Sequence, residues 1–397
     1  MIKYLGSKRT LVPLIATVAA HLPVRSACDL FAGTTRVGQA LRRLGLAVHS
    51  NDLATYSEVL GRAYIEAGNV DRDRLETLLA ELQTLSGRDG WFTEAFCRRA
   101  RYFQPQNGAR IEAIREAIEA YALPAVERSL LLTSLLLAAD RVDSTTGLQM
   151  AYLKKWAARS FNDLELRLPE AVPGPAGMVT RLDSNELAPH LDVDLVYVDP
   201  PYNQHSFFSN YHVWETLMRW DDPETYGVAC KRVDCRENRS AYNSKRLAPA
   251  AFAELLASIP ARWLLVSVSD EGFHDVDQLG TLLSAIGYVC RIDVDSKRYV
   301  GAQIGIYSPL GEKVGTISRL RNRESLFLVG PDRGVVDSAA CAGLAFSREN
   351  GRAARKTAVT QAAPTSGRNG ASGAPSPVAR SSPQPASAAG QGPRPRR

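Results

Sequence analysis

Four short apolar runs, at residues 27–31, 47–51, 195–198 and 263–268, each end in small or acidic residues, the pattern of strands buried in a parallel sheet. Residues 36–44 follow the first run with apolar side chains at helical spacing, and 276–286 follow the fourth in the same way. This alternation of strand and helix predicts a doubly wound, Rossmann-like α/β fold.

From 57 to 177 the pattern changes. Helical spacing recurs at 72–85, 91–103, 109–121 and 125–142 with no strand between, which predicts an inserted helical domain. Asn107-Gly108 reads as a turn before the third helix, and Leu123-Pro124 opens the fourth. A strand at 288–294 follows the insert's return to the sheet. Strands at 303–307 and 314–318 then flank a turn at Pro309-Leu310-Gly311, and 324–329 forms a last strand. Beyond Asp332 the chain drifts toward Ala, Gly, Pro and Ser, which bury little apolar surface. The expected organisation is a catalytic domain split into 1–56 and 178–332, a helical domain at 57–177, and a mostly disordered basic tail at 333–397.

Composition narrows the class. A hydrophobic fraction of 45% and a charged fraction of 23% match a globular protein and exclude a collagen-like or wholly disordered chain. The apolar stretch at 130–139 is too short to span a bilayer, and Pro13 interrupts the run at 11–22 that loosely imitates a secretory leader. Six Cys without a C-x-x-C pair or zinc-type spacing, and six scattered His, point to reduced thiols, no metal and a cytoplasmic protein. Of the net charge of +6, residues 347–397 carry +8 and the rest −2, so binding of nucleic acid by the folded part rests on local patches. Arg98, Arg99 and Arg101, with Lys154 and Lys155, lie beside Tyr102 and Trp156 and form either such a patch or a solvated helix face. The tail is in the same way either a phosphate-contacting arm or a spacer.

Chemistry concentrates at two strand ends. Asp29-Leu30-Phe31-Ala32-Gly33-Thr34 follows the first strand and opens a helix, where a doubly wound fold takes a nucleotide-like ligand. Gly33 lets a ligand approach the backbone, and Asp52, ending the second strand, can accept both hydroxyls of a ribose. Alone, this pairing fits an ordinary strand-to-helix turn equally well. Thr35 stands where nucleotide-binding loops usually carry a second Gly, which disfavours a pyrophosphate and suits a nucleoside sulfonium.

At the second strand end, Leu195-Val196-Tyr197-Val198 runs into Asp199-Pro200-Pro201-Tyr202. Adenine's exocyclic amine is a poor nucleophile because its lone pair is delocalised into the ring. An acceptor on each amine hydrogen favours a tetrahedral nitrogen able to attack a sulfonium methyl. Asp199 can supply one acceptor and the carbonyl of Pro200 the other, held rigid by the successive prolines, while Tyr202 can stack on a base swung out of its helix. Cytosine-C5 chemistry is a poor alternative, since it needs a cysteine nucleophile, normally after proline, and no Cys here follows Pro.

Taken in order, these residues resemble the Dam-like, alpha-group adenine-specific DNA methyltransferases. Lys3-Tyr4-Leu5-Gly6-Ser7-Lys8-Arg9 looks like the family's first cofactor motif, Asp29 to Gly33 like the second, Asn51-Asp52 like the ribose-binding acid, and Asp199 to Tyr202 like the catalytic tetrapeptide. The likeness covers roughly residues 1–330. It implies a Rossmann-like S-adenosylmethionine-dependent fold whose helical insert recognises the target. By position, Lys3, Tyr4 and Lys8 would hold the methionine end, Phe31 and Gly33 the cofactor wall, Asp52 the ribose and Asp183 the cofactor's adenine. Asp199, Pro200 and Tyr202 would bind the target base, and Phe207, Phe208 and Tyr211 would either cover it or belong to the core. The implied substrate is duplex DNA, with a separately acting restriction endonuclease as a candidate partner and a monomer as the expected state. RNA or protein-amide methylation, or a catalytically silent DNA-binding regulator, are the competing readings.

Overall fold

The computed structural model describes residues 2–6, 8–150, 152–297, 306–307, 313–315, 321–357 and 359. Its main sheet is built from β1 (Ser26–Asp29), β2 (Ala47–Asn51), β3 (Met178–Thr180), β4 (Leu195–Val198), β7 (Trp263–Ser269), β8 (Tyr288–Lys297), β11 (Arg321–Gly330) and β12 (Ala354–Thr357). Short hairpins join β5 (Thr225–Tyr226) to β6 (Lys231–Arg232), and β9 (Ile306–Tyr307) to β10 (Lys313–Gly315). The turn expected at Pro309-Leu310-Gly311 lies outside the described residues.

In space the sheet runs β12-β8-β11-β7-β4-β1-β2-β3. The strands from β3 to β7 are parallel, while β11, β8 and β12 are antiparallel additions. Strand order reverses between β1 and β4, where Asp29 stands opposite Tyr197. Such a switch point leaves a crevice at the carboxyl ends of the two strands. The sheet's two faces are covered by separate helix layers. On one lie α1 (Val12–Ala20) and α2 (Arg36–Arg43), with Leu14, Ile15, Val18, Val37 and Leu41 buried. The other carries α8 (Ser184–Leu187), α11 (Ala248–Ser258) and α12 (Val276–Ser284), with Leu187, Phe252, Leu255, Leu279 and Leu283 buried.

Between β2 and β3 the chain forms α3 (Thr55–Gly61), α4 (Arg72–Thr84), α5 (Trp91–Thr93), α6 (Pro105–Ala120) and α7 (Ala125–Val142). These helices have their own apolar core, which includes Leu75, Phe92, Phe96, Ile111, Leu131 and Leu135. Two local expectations give way to packing. Asn107-Gly108 is no turn: both lie within α6, Asn107 donates to the carbonyls of Ser160 and Asn162, and a Cβ on Gly108 would fall 2.1 Å from Cys97 Sγ. The helix expected over 91–103 widens at Glu94–Arg99 and ends there, leaving Tyr102 and Phe103 buried in the core.

The helical core also draws in a segment from beyond the tetrapeptide. After α9 (Phe207–Asn210), α10 (His212–Arg219) buries Val213, Trp214, Leu217 and Met218 in it. Glu215 caps the start of α3 by accepting from Thr55 N and Thr55 Oγ1 at 2.9 and 2.6 Å. Buried Arg115 donates to the Leu217 and Met218 carbonyls at the other end of α10, satisfying acceptors the helix leaves open.

The boundary expected at 333 is wrong. Residues Arg333–Glu349 form a helix, α13, whose first turn is capped by Asp332 accepting from Val335 N at 2.9 Å. Ala and Gly here make a close helix contact: a Cβ on Gly343 would come within 2.8 Å of Leu14 and Val18 of α1. Then β12 adds to the sheet edge against β8. Several basic residues counted with the tail are engaged in the fold, with Lys356 paired to Asp337 and Arg352 donating to the Thr10 carbonyl. Among the described residues, no helix is long and apolar enough to cross a membrane.

Candidate active site

At the switch point an open cavity of about 460 Å³ spans the ends of β1, β2 and β4. Its size lies within the usual range for small-molecule sites. It gathers most of the expected residues: Tyr4, Lys8, Asp29, Phe31, Gly33, Asp52, Asp183, Asp199, Pro200, Pro201, Tyr202, Phe207 and Phe208.

The cofactor half is set by hydrogen bonds across strand ends. Asp52 accepts from Gly33 N at 2.8 Å through Oδ2 and from Ala54 N at 2.9 Å through Oδ1, which locks the loop after β1 to the end of β2. Burial raises the Asp52 pKa, against these stabilising N–H donors. Gly33 has φ +51°, and a Cβ there would lie 3.1 Å from the Tyr4 ring, so a side chain would crowd the cavity wall. Asp29 caps the loop by accepting from Gly38 N at 2.8 Å, and burial pushes its carboxyl up to about 7. Asp183 sits at the exposed rim and caps α8 by accepting from Asn185 N. Bare backbone at Gly33, an acid at each side and the Phe31 ring between them fit an adenosyl group bearing a ribose.

Two expected cofactor ligands have other partners. Lys3 does not line the cavity; its ammonium turns to Asp140 and Asp143 at 3.0 and 3.3 Å and ties the N-terminal segment to the end of α7. Lys8 does line it but points to the catalytic half, 3.2 Å from Asp199 Oδ1 and 5.2 Å from the centre of the Tyr202 ring. Burial raises the Asp199 carboxyl to about 6, with the Lys8 charge opposing that rise.

Aromatic contacts join the two halves. Tyr4 stacks on Phe207 and Tyr211 with centroids 5.4 and 4.4 Å apart, and its hydroxyl meets that of Tyr56 at 3.1 Å. Tyr211, expected at the target base, is completely buried beneath Tyr4 and cannot reach one; it belongs to the core. In the expected basic patch Arg98 and Arg99 are exposed and Arg101 is half-buried, and all three are engaged. Arg98 pairs with Asp89 and Glu94, Arg99 donates to Thr225, and Arg101 packs over Trp156 with its guanidinium 4.5 Å from the ring centre while donating to the Lys154 carbonyl. Lys154 and Lys155 are exposed.

Sequence reading missed the segment from Glu237 to Asn243, which forms one side of the cavity. Tyr242 meets Phe31 edge-on at 5.4 Å, and Asn243 donates to the carbonyls of Asn203 and His205, fastening the loop after the tetrapeptide. Its only signal was a run of cations, Arg236, Arg239, Lys245 and Arg246, without periodicity to place it; all four are exposed.

A doubly wound sheet whose switch-point cavity ends on Asp-Pro-Pro-Tyr defines a methyltransferase acting on a planar amine. The model of the D12 class N6 adenine-specific DNA methyltransferases matches residues 4–278, and the chain belongs to that family. It is thus an enzyme that methylates adenine N6 in DNA with S-adenosylmethionine as the donor. It is 30% identical over 312 residues to the type II methyltransferase M.NlaIII of Neisseria lactamica, covering 75% of this chain and 92% of that one. The modification methylase StsI of Streptococcus sanguinis is 29% identical over 316 residues, and the type II methyltransferase M.FokI of Planomicrobium okeanokoites 30% over 308. The match covers 75% and 72% of this chain and 48% and 47% of theirs, so the chain spans about half their length.

Proposed function

We propose that this chain is a site-specific modification enzyme that methylates adenine in duplex DNA after swinging the base out of the helix. The observation that carries this is the floor of the cavity, where Asp199, Pro200, Pro201 and Tyr202 stand at the end of β4 beside the cofactor half. A base stacked in a duplex cannot reach such a floor, so it must be extruded first.

Bound S-adenosylmethionine supplies an electrophilic sulfonium methyl. Asp52 would hold the ribose through the lone pairs left by its two backbone bonds, Gly33 would admit the cofactor against the backbone, and Asp183 at the rim would take its adenine. Asp199 accepts one hydrogen of the target amine and the Pro200 carbonyl the other, which frees the nitrogen lone pair. Tyr202 stacks on the base, and Phe207 and Phe208 close over it. Asp199, or solvent beside it, would take up the proton that the methylated amine must shed.

Outside the cavity, residues 57–177 with α10 form the recognition part, and the rim cations Arg236, Arg239, Lys245 and Arg246 contact phosphates. Relatives named as type II and modification methylases support a role beside a restriction endonuclease that acts separately. Transfer of labelled methyl from S-adenosylmethionine to duplex DNA, single-stranded DNA and RNA, followed by nucleoside analysis, tests the reading. N6-methyladenine formed mainly in duplex DNA supports it, and equal labelling of RNA overturns it. Modification-sensitive sequencing of DNA from expressing cells then gives the site.

A further inference from the structure

We propose that Glu324 is a positioning residue for the transfer reaction, holding the Lys8 ammonium against the sheet so that Asp199 keeps its outer oxygen for the target amine. Glu324 lies on β11, beyond the segment matched by the family model. The Lys8 Nζ donates a hydrogen bond to Glu324 Oε2 at 3.2 Å and forms an ion pair, without hydrogen-bond geometry, with Asp199 Oδ1, also at 3.2 Å. All three side chains are largely buried, at 6% exposure for Lys8 and 13% for each carboxylate. No described group donates to Asp199 Oδ2.

The hold of Glu324 on Lys8 follows from where each group is anchored. Glu324 is fixed in the middle of an antiparallel ladder, opposite Ser269 of β7 and Val294 of β8, and neighbouring Arg323 is bonded on both sides to Asp270. Lys8 sits in a left-handed turn with φ +47° that aims its side chain inward. With one cation between two anions, neither carboxylate is neutralised by it. Without Glu324 the ammonium would belong to Asp199 alone, and it would compete with the target amine for that carboxylate.

The other charged and titratable groups near the pair are Asp29 on β1, Tyr197 and Tyr202 on and after β4, and Asp270 and Glu271 after β7. Burial chiefly disfavours ionisation of Asp199, Glu324 adds to that, and Lys8 opposes them. Two carboxylate oxygens that share one Nζ are at most about 6.4 Å apart. Repulsion at that distance is worth about half a pH unit even at the dielectric constant of water, and more when buried.

The test is the pH profile of single-turnover methyl transfer by the full-length enzyme. Glu324→Gln should move the acid limb down by about half a unit or more and slow the plateau about tenfold, with S-adenosylmethionine affinity within about twofold of the parent. Glu324→Asp should restore most of the rate. A Gln variant that melts like the parent and has an unmoved limb and parental rate overturns the proposal. If the Gln variant melts early, Glu324→Asp is compared with Glu324→Ala under conditions where both are folded: the charged variant must keep the limb and rate, and equal behaviour of the two overturns it.

Discussion

Thr35 combines the two features that make a backbone position costly: it is β-branched and it has φ +60°. It is also fully buried, just before α2, with its carbonyl accepting from Gln39 N and its hydroxyl accepting from Gln39 Nε2 at 3.0 Å. A left-handed conformation costs an L-residue about 1–2 kcal/mol relative to glycine, while glycine gives up about 0.5–1 kcal/mol through its freer unfolded chain. Thr35→Gly should therefore be more stable than Thr35→Ala by about 0.5–1 kcal/mol. Both variants lose the hydroxyl and leave Gln39 Nε2 a buried donor without its partner, at about 1–3 kcal/mol, so that term cancels in the comparison and both fall at or below the parent. Inside α2 the order should invert, with Gln39→Ala above Gln39→Gly by about 1 kcal/mol. Urea unfolding of the four variants in one buffer reads all these differences. An alanine at 35 that equals or exceeds glycine would refute the claim that the turn is strained.

Asp52→Asn should weaken S-adenosylmethionine binding by about 1.5–3 kcal/mol, because one backbone N–H then faces an amide donor and the ribose loses its carboxylate; Asp199→Ala should leave affinity within about threefold while abolishing transfer, and calorimetry giving the reverse ranking would exchange their roles. With its carboxyl at about 6, Asp199 takes up a proton below that pH and loses its free acceptor, so turnover should be level above it and fall about tenfold per unit below; a flat profile to pH 5 would remove Asp199 as an acceptor. Replacing Arg239 and Lys245 together with Ala should flatten the dependence of log affinity on log salt by about 1.8, whereas Arg98→Ala, already paired with Asp89, should leave it unchanged; equal slopes in filter binding would move the phosphate contacts elsewhere.

The sequence by itself determined what local chemistry enforces. Apolar runs ending in acids gave β1, β2, β4 and β7, and the restricted backbone of Pro200 and Pro201 marked the turn after β4 that lines the cavity, because such residues have few other uses at a strand end. The places of Gly33 and Asp52 in the cavity wall at the ends of β1 and β2 were legible for the same reason. Tertiary structure decided whatever depends on partners distant in the chain. Tyr211 is a stacking support because Tyr4 lies on it, Lys3 is a tether because Asp140 and Asp143 meet it, and Glu324 reaches Lys8 only because β11 inserts between β7 and β8. Composition suggested disorder beyond Asp332, yet small residues are also what lets α13 approach α1 closely, and only the helix across from them tells those meanings apart.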